Sequence, residues 1–452
     1  MRAALLALLL PLTAAAEQAW SPPDSLAAKV EALTPAARAF VTSGAFRRYL
    51  PERQLEHELN TRSDAELQTF LADLMNVASA MGYDPSRNMG AMPLNLTTKE
   101  FHAGMVVTPK PLRKIERADG PFSVHRYLFP ESGVPTFAGA DVAIWPEDLL
   151  AGAVDVAIVG IPNDMSSGTR NAEYGPRAMR ALNTMGLPDD QSLVDPLATL
   201  KVVDYGDFAV DNMSTERTVG HVTAMVRETA ATGAVPFMVG GDTSMLYPGV
   251  KGVAEAASEP FGLLHFSAHP DVDTDAVHTI SDTQAVFLLL REGLVEGRDL
   301  VQVGARGAAV TADSLQWLRD QKARYHTMAE LERRGSEAVL KKVRREVARG
   351  PARFFVSVDV SVVEPAEMIA AGRVVAGGIP MAALTATIRE VCASKEIVGF
   401  EITDMAPMLD LSRLSALNAN AIVNACLVGM AVRRAGFAPD YIHPLAAGHG
   451  QR

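Results

Sequence analysis

Cysteine is scarce in this chain of 452 residues: only Cys392 and Cys426 occur. Two thiols cannot build the disulfide framework of a small secreted scaffold, and both stand in helix-like apolar settings, so two buried thiols are expected. A basic excess is also lacking. The formal net charge is −11, which removes the electrostatic footprint expected of a nucleic-acid binder and says little else about partners. Beyond the first residues no apolar run reaches the roughly 20 positions that a membrane-spanning helix requires. There is no internal repeat and no low-complexity segment.

What is present is a large apolar fraction, 48% of residues, enough to bury a sizeable core. Met1-Arg2, the apolar stretch Ala3 to Leu12 and then Thr13-Ala14-Ala15-Ala16 before Glu17 have the charged start, short apolar body and small-residue end of a secretory signal, with cleavage expected after Ala16. The alternative is the first part of an organelle-targeting leader. Asn95-Leu96-Thr97 and Asn212-Met213-Ser214 are glycosylation sequons, which suit a secretory route and also arise by chance.

The chain divides into the signal over 1–16, an extension over 17–150, a main domain over 151–437 and a tail over 438–452. In the extension, short helical patterns at Leu26 to Leu33, Ala36 to Val41 and Asp64 to Met81 precede a proline-rich loop span, and nothing there carries chemistry. From Val154 onward apolar runs of strand length alternate with helical patterns. The strands are expected at Val154 to Ile161, Leu200 to Val203, Val235 to Val239, Phe261 to Phe266, Leu300 to Val303, Phe354 to Val358 and Ile397 to Ile402. That rhythm predicts a central, mostly parallel sheet covered on both faces by helices, an α/β/α three-layer sandwich. The Lys- and Arg-rich stretch within one long helix, Met328 to Arg349, reads as a solvated face because both charge signs alternate around Leu331, Val339 and Val343.

In such sheets ligands bind outside the carboxyl ends of the strands, and polar residues gather there. Gly240-Gly241-Asp242-Thr243-Ser244, His265-Phe266-Ser267-Ala268-His269-Pro270-Asp271 and Ser357-Val358-Asp359-Val360-Ser361 each follow an apolar run. For the first, a strand-to-helix turn capped by Asp242 is sufficient. His269 with Asp271 suits either a metal or a hydrogen-bonded His–carboxylate pair in the core. Asp204 and Asp207 read as loop-fixing acceptors. A serine nucleophile at Ser267 or Ser361 is disfavoured, because no elbow pattern surrounds either.

These motifs occur in order with Gly160-Ile161-Pro162-Asn163-Asp164, Gly175-Pro176-Arg177, Asp204-Tyr205-Gly206-Asp207 and Gly399-Phe400-Glu401-Ile402-Thr403-Asp404-Met405-Ala406-Pro407. Together they resemble the ureohydrolase family, agmatinases more than arginases, over roughly Val154 to Ala435. The resemblance implies the three-layer fold, a trimer or hexamer, and hydrolysis of a guanidino compound to urea and an amine by two manganese ions sharing a hydroxide. It also implies six ligand positions: Thr243, Ser267, His269, Asp271, Asp359 and Ser361. His269, Asp271 and Asp359 retain ligating groups. Thr243 stands for an imidazole, Ser267 for a bridging carboxylate and Ser361 for a terminal carboxylate. Neutral hydroxyls bind manganese poorly and remove charge that a cation pair needs.

Other carried-over roles are also altered. Asp404 stands where a glutamate would pair with the substrate guanidinium, Asp282 stands near the place of a proton-transferring histidine, with His278 beside it, and Asp164 and Arg170 fall on the substrate-side loop. Asp273, Asp275, His278 and Asp282 follow Asp271 closely and offer spare donors, although an acidic loop is more often a solvated face. The loop Ile369 to Gly378, with Arg373 near the expected mouth, is unlike a pocket for a cationic guanidine. Two outcomes are therefore expected of the residues: a protein silent for two-manganese catalysis that keeps the fold for binding or assembly, or an active single-metal or altered-chemistry C–N hydrolase on a guanidino or ureido substrate.

Overall fold

A computed structural model describes residues 19–81, 119–123, 134–165, 171–182, 184–211, 214–274 and 280–448. The expected leader over 1–16, the sequon Asn95-Leu96-Thr97, the residues Asn212 and Met213 of the other, Arg170, Asp275 and His278 lie outside the described residues. Two compact units are present, up to Val134 and from Pro135 onward.

The first unit is helical. Asp24–Glu31, Pro35–Thr42, Glu52–Thr61 and Asp64–Met81 are α-helices around a core that includes Trp20, Phe46, Leu55, Leu59 and Leu71. Thr34 caps the second helix by accepting from Ala37 N, and Pro35 occupies its first turn, where a missing N–H costs nothing. Glu52–Thr61 has no counterpart among the expected elements. Its buried apolar residues are Leu55 and Leu59, one helical turn apart, too sparse a stripe to read in a polar segment.

The second unit holds one eight-stranded sheet in the order β2-β1-β3-β8-β7-β4-β5-β6. The strands are β1 Val156–Gly160, β2 Val202–Asp207, β3 Val235–Val239, β4 Gly262–Phe266, β5 Leu300–Val303, β6 Arg324–His326, β7 Arg353–Asp359 and β8 Glu396–Thr403. All neighbours run parallel. Parallel strands must be covered on both faces, and alternate side chains feed two separate cores. Phe237, Phe266, Phe354 and Phe400 pack with one helix layer, including Met381–Ser394 and Leu414–Arg434. Met238, Leu263, Phe355 and Val398 pack with the other, including Thr215–Ala231 and Leu246–Ala256. The three-layer α/β/α sandwich follows.

Several expectations are corrected. The extension expected over 17–150 divides, because residues from Pro135 belong with the sheet. Phe137 N donates to Asp204 Oδ2 at 2.9 Å, and the Arg180 guanidinium lies 3.9 Å from the centroid of the Phe137 ring. The single helix expected over Met328 to Arg349 is broken into Met328–Arg334 and Ser336–Arg349 at Gly335, whose φ of 86° is left-handed backbone that glycine adopts without steric cost. Edge strand β6, three residues long and polar, carries no periodic signal. Leu414–Arg434 is long and apolar enough to cross a membrane by length and composition, yet 72% of its apolar window is buried inside the protein. It is the core helix of one layer.

The thiols are paired. Cys392 on Met381–Ser394 and Cys426 on Leu414–Arg434 form a disulfide with Cα atoms 5.3 Å apart. Chain positions 34 apart gave no sign of proximity; packing of the two helices against each other brought them together. Closing a loop of this size removes about 3–4 kcal/mol of chain entropy from the unfolded state. Replacing both cysteines by alanine is therefore expected to lower unfolding free energy by about that amount in urea denaturation. An unchanged midpoint and slope would show that the cross-link contributes nothing.

Candidate functional site

Strand order and register assemble the site. β8 and β7 come last in the sequence but insert between β3 and β4, so four carboxyl ends lie side by side. Val239 pairs with Ile402, Val358 with Ile402 and Phe266 with Val358. Residues just past those pairs must therefore converge. Ser267 Oγ donates to Asp359 Oδ2 at 2.8 Å, Ser361 N donates to Asp359 Oδ1 at 2.8 Å, and His269 Nδ1 lies 3.7 Å from Asp359 Oδ2.

Four of the six positions expected to hold a metal thus meet at once, and the other two, Thr243 and Asp271, join them through Arg373. The Arg373 guanidinium fills the centre. Its Nη1 donates to Asp271 Oδ1 at 3.0 Å; its Nη2 donates to Thr243 Oγ1 at 2.8 Å and to Asp359 Oδ2 at 3.2 Å; its Nε is 3.5 Å from Asp282 Oδ2. Sequence reasoning placed Arg373 near the mouth and read it as foreign to the pocket. What it missed is that a loop residue turns inward and becomes the hub, a contact between positions 102 apart for Asp271 and 130 apart for Thr243.

The loop that carries Arg373 is docked by backbone. Gly372 N donates to Asp404 O at 2.9 Å, Arg373 N donates to Asp404 Oδ2 at 2.7 Å, and Ala406 N donates to Ala370 O at 2.7 Å. A Cβ at Gly372 would lie 2.4 Å from Asp404 Oδ1, so only glycine permits the approach. Asp404 and Asp271 both have left-handed backbone, with φ of 67° and 52°. Asp tolerates that region better than most residues, and its use at both places marks the site as locally strained.

Arg306, which sequence reasoning did not single out, holds the far side of the loop. Its guanidinium donates to Ser361 O at 2.8 Å, Val375 O at 2.9 Å and Ala376 O at 3.0 Å, stitching the loop to the end of β7. A lone arginine after a strand carries no signal that separates this use from a surface charge.

Behind the site lies a second polar row. His265 Nδ1 is 2.9 Å from Ser357 Oγ, Ser357 Oγ donates to Glu401 Oε1 at 2.6 Å, and His265 Nε2 is 3.7 Å from Asp271 Oδ2. All four side chains are buried. The array resembles a Ser–His–Asp relay in its order of groups, but Ser357 is closed to solvent and gives its hydroxyl to Glu401, so it presents no nucleophile.

Charge states follow from burial and neighbours. Burial alone would lower the Arg373 pKa, and the four carboxylates Asp271, Asp359, Asp404 and Asp282 outweigh it, so Arg373 stays protonated well above its ordinary value. Asp359 is pushed up by burial and pulled down further by His269 and Arg373, ending below the usual carboxylate range. Burial, with help from Asp271, pushes Asp282 up to about 6. Asp404 is raised well above its ordinary value by burial and by the Asp359 charge. Its Oδ1 is buried without a hydrogen-bond partner among the described residues.

The remaining expected residues take plainer roles. Asp242 Oδ1 accepts from Ser244 N at 3.0 Å, capping the turn after β3. Asp164 Oδ2 accepts from Asn171 N at 2.6 Å and Ala172 N at 3.3 Å, tying off its own loop. Asp204 and Asp207 both hold Arg180. Among the described residues no group of three or more His, Cys, Asp or Glu is arranged to hold a metal ion.

Burial pushes Glu401 up to about 8 from the usual 4.5. Between those values the folded carboxyl keeps a proton that the unfolded one has lost. Its contribution to stability is therefore complete below pH 4.5 and fades as pH rises through about 8. Glu401→Gln is expected to remove this slope, so wild type and variant should converge at low pH and the variant should be the more stable near pH 9. Parallel pH–stability curves in urea would refute the assignment.

Comparison with known proteins agrees with this fold. The family model described as "Arginase family" matches residues 154–429. The mitochondrial agmatinase of Gallus gallus is 30% identical over 276 residues, covering 60% of this chain and 80% of that protein. The guanidinopropionase of Pseudomonas aeruginosa is 29% identical over 296 residues, covering 63% and 88%. Among solved structures, the proclavaminate amidino hydrolase of Streptomyces clavuligerus superposes with a TM-score of 0.61 at 23% identity, covering 68% of this chain and 99% of that one, a likeness of fold.

Proposed function

Since the chain belongs to the arginase family, and so presents a ureohydrolase scaffold suited to guanidino compounds, we propose that it is silent for two-manganese hydrolysis and keeps this scaffold for binding. The observation that carries this reading is the Arg373 guanidinium, 3.0 Å from Asp271 and 3.2 Å from Asp359. Two divalent cations a few ångströms apart repel each other and require bridging and terminal carboxylates to neutralise them. Here the position of the second bridging carboxylate is Ser267, which donates to Asp359 and needs no cation between them. Thr243 Oγ1 accepts from Arg373, and Ser361 Oγ accepts from Ala268 N at 3.3 Å. Each hydroxyl is committed to the protein. The residues present do not fit a manganese pair, and no hydrolytic step is assigned to them.

The test is elemental analysis of full-length protein equilibrated with excess manganese and exchanged into metal-free buffer, together with urea release from agmatine and guanidinopropionate. Metal near zero and no urea are expected. One or two ions per chain, with urea release abolished by His269→Ala and by Asp359→Asn, would establish the enzyme reading instead.

We also infer export from the cytosol. The charged, apolar and small-residue order of 1–16 supports it, and so does the Cys392–Cys426 disulfide, since such bonds persist in oxidising compartments. N-terminal sequencing of the chain expressed in its own cell type should begin at Glu17. A chain that begins at Met1 with both thiols free would overturn this.

A further inference from the structure

We propose that Arg373 is a tethered cation that has taken over neutralisation of the carboxylate cluster from a metal pair, so that the site is a receptor for a planar guanidinium filled in cis. The proposal rests on the reading of the site as silent for manganese chemistry, and extends it by naming what occupies the place and what would bind there if the occupant were removed.

Three independent features fit a guanidinium and no other cation so well. The first is bond direction: Nη1 and Nη2 share the Asp271 carboxylate at 3.0 and 3.5 Å, Nη2 also reaches Thr243 and Asp359, and Nε lies 3.5 Å from Asp282 Oδ2 without a hydrogen bond. A planar fork with several fixed donors matches such a set, whereas an ammonium is a point charge with no plane. The second is the hydroxyl set. Thr243 accepts from the fork, and Ser267 donates to the same Asp359 oxygen that Arg373 reaches. One cation and one hydroxyl donor together satisfy a carboxylate that would otherwise require a metal.

The third is the tether. Gly372 and Asp404 hold the backbone on one side of Arg373, and Arg306 holds Val375 and Ala376 on the other. Both anchors use interior groups rather than surface charges. The side chain of Arg373 is 13% exposed, so the fork is held in a largely dehydrated place where removing it takes the guanidinium charge away from both Asp271 and Asp359.

The experiment uses full-length wild type, Arg373→Ala and Arg373→Lys, titrated with methylguanidinium chloride by calorimetry, with methylammonium and urea as controls. A tethered group competes at an effective concentration of millimolar order or higher. Methylguanidinium is therefore expected to bind Arg373→Ala at least about tenfold more tightly than wild type, and to raise the lowered Tm of that variant where methylammonium and urea do not. Folded Arg373→Ala that binds methylguanidinium no better than wild type overturns the proposal. Should Arg373→Ala fail to fold, Arg373→Lys decides: it keeps the charge and loses the fork, so a Tm below wild type is expected and a Tm equal to wild type overturns the proposal. Manganese binding to wild type would remove the reading beneath it. Failure of methylguanidinium alone leaves that reading standing.

Discussion

Buried carboxylates need a countercharge, and at this site three of them share the Arg373 guanidinium. Asp271, Asp359 and Asp282 sit at or after strand ends where the parallel sheet gives them no water. Ionised and unpaired, each would cost several kcal/mol. Arg373 meets all three with one side chain, and its protonated state is held by the same carboxylates that it neutralises. The geometry of the neighbouring residues then has a reason. Thr243 accepts from the cation, Ser267 donates to Asp359, Ser361 Oγ accepts from Ala268 N, Gly372 lets the loop backbone close on Asp404, and Arg306 pins the remainder of the loop to the turn after β7.

The sheet makes this economy of charge feasible. β7 and β8 enter between β3 and β4, so groups distant in sequence share one rim, and the registers place Ser267 beside Asp359. The two cores on either face hold the strands rigidly enough for left-handed backbone at Asp271 and Asp404 to persist. Local strain of that kind survives only where the surroundings over-determine it.

Legibility in the sequence varied with how much of the signal was local. Val235–Val239, Leu300–Val303 and Met381–Ser394 coincide with their apolar patterns because burial of one run or one stripe is decided by neighbours in the chain. Glu52–Thr61 and Arg324–His326 did not show, since two leucines or a three-residue edge carry too little periodicity. At the site, the strand-end positions 243, 267, 269, 271, 359 and 361 were legible through their motifs, and the geometry brings them together. Arg373, Arg306, His265 and Glu401 were not read as partners, because an arginine in a loop and a polar residue inside a strand look alike whether or not they find one.

The residue order by itself determined the alternation of strands and helices, the layered architecture, the family and the presence of hydroxyl residues at 243, 267 and 361. These rest on local pattern and on side-chain chemistry, which need no coordinates. Only the tertiary structure decided that Arg373 lies among Asp271, Asp282 and Asp359, that Cys392 and Cys426 pair, and that Arg306 fastens the loop. Each of these is a contact between segments whose separation in the chain is bridged by packing, and packing is a property of the whole core rather than of any run of residues.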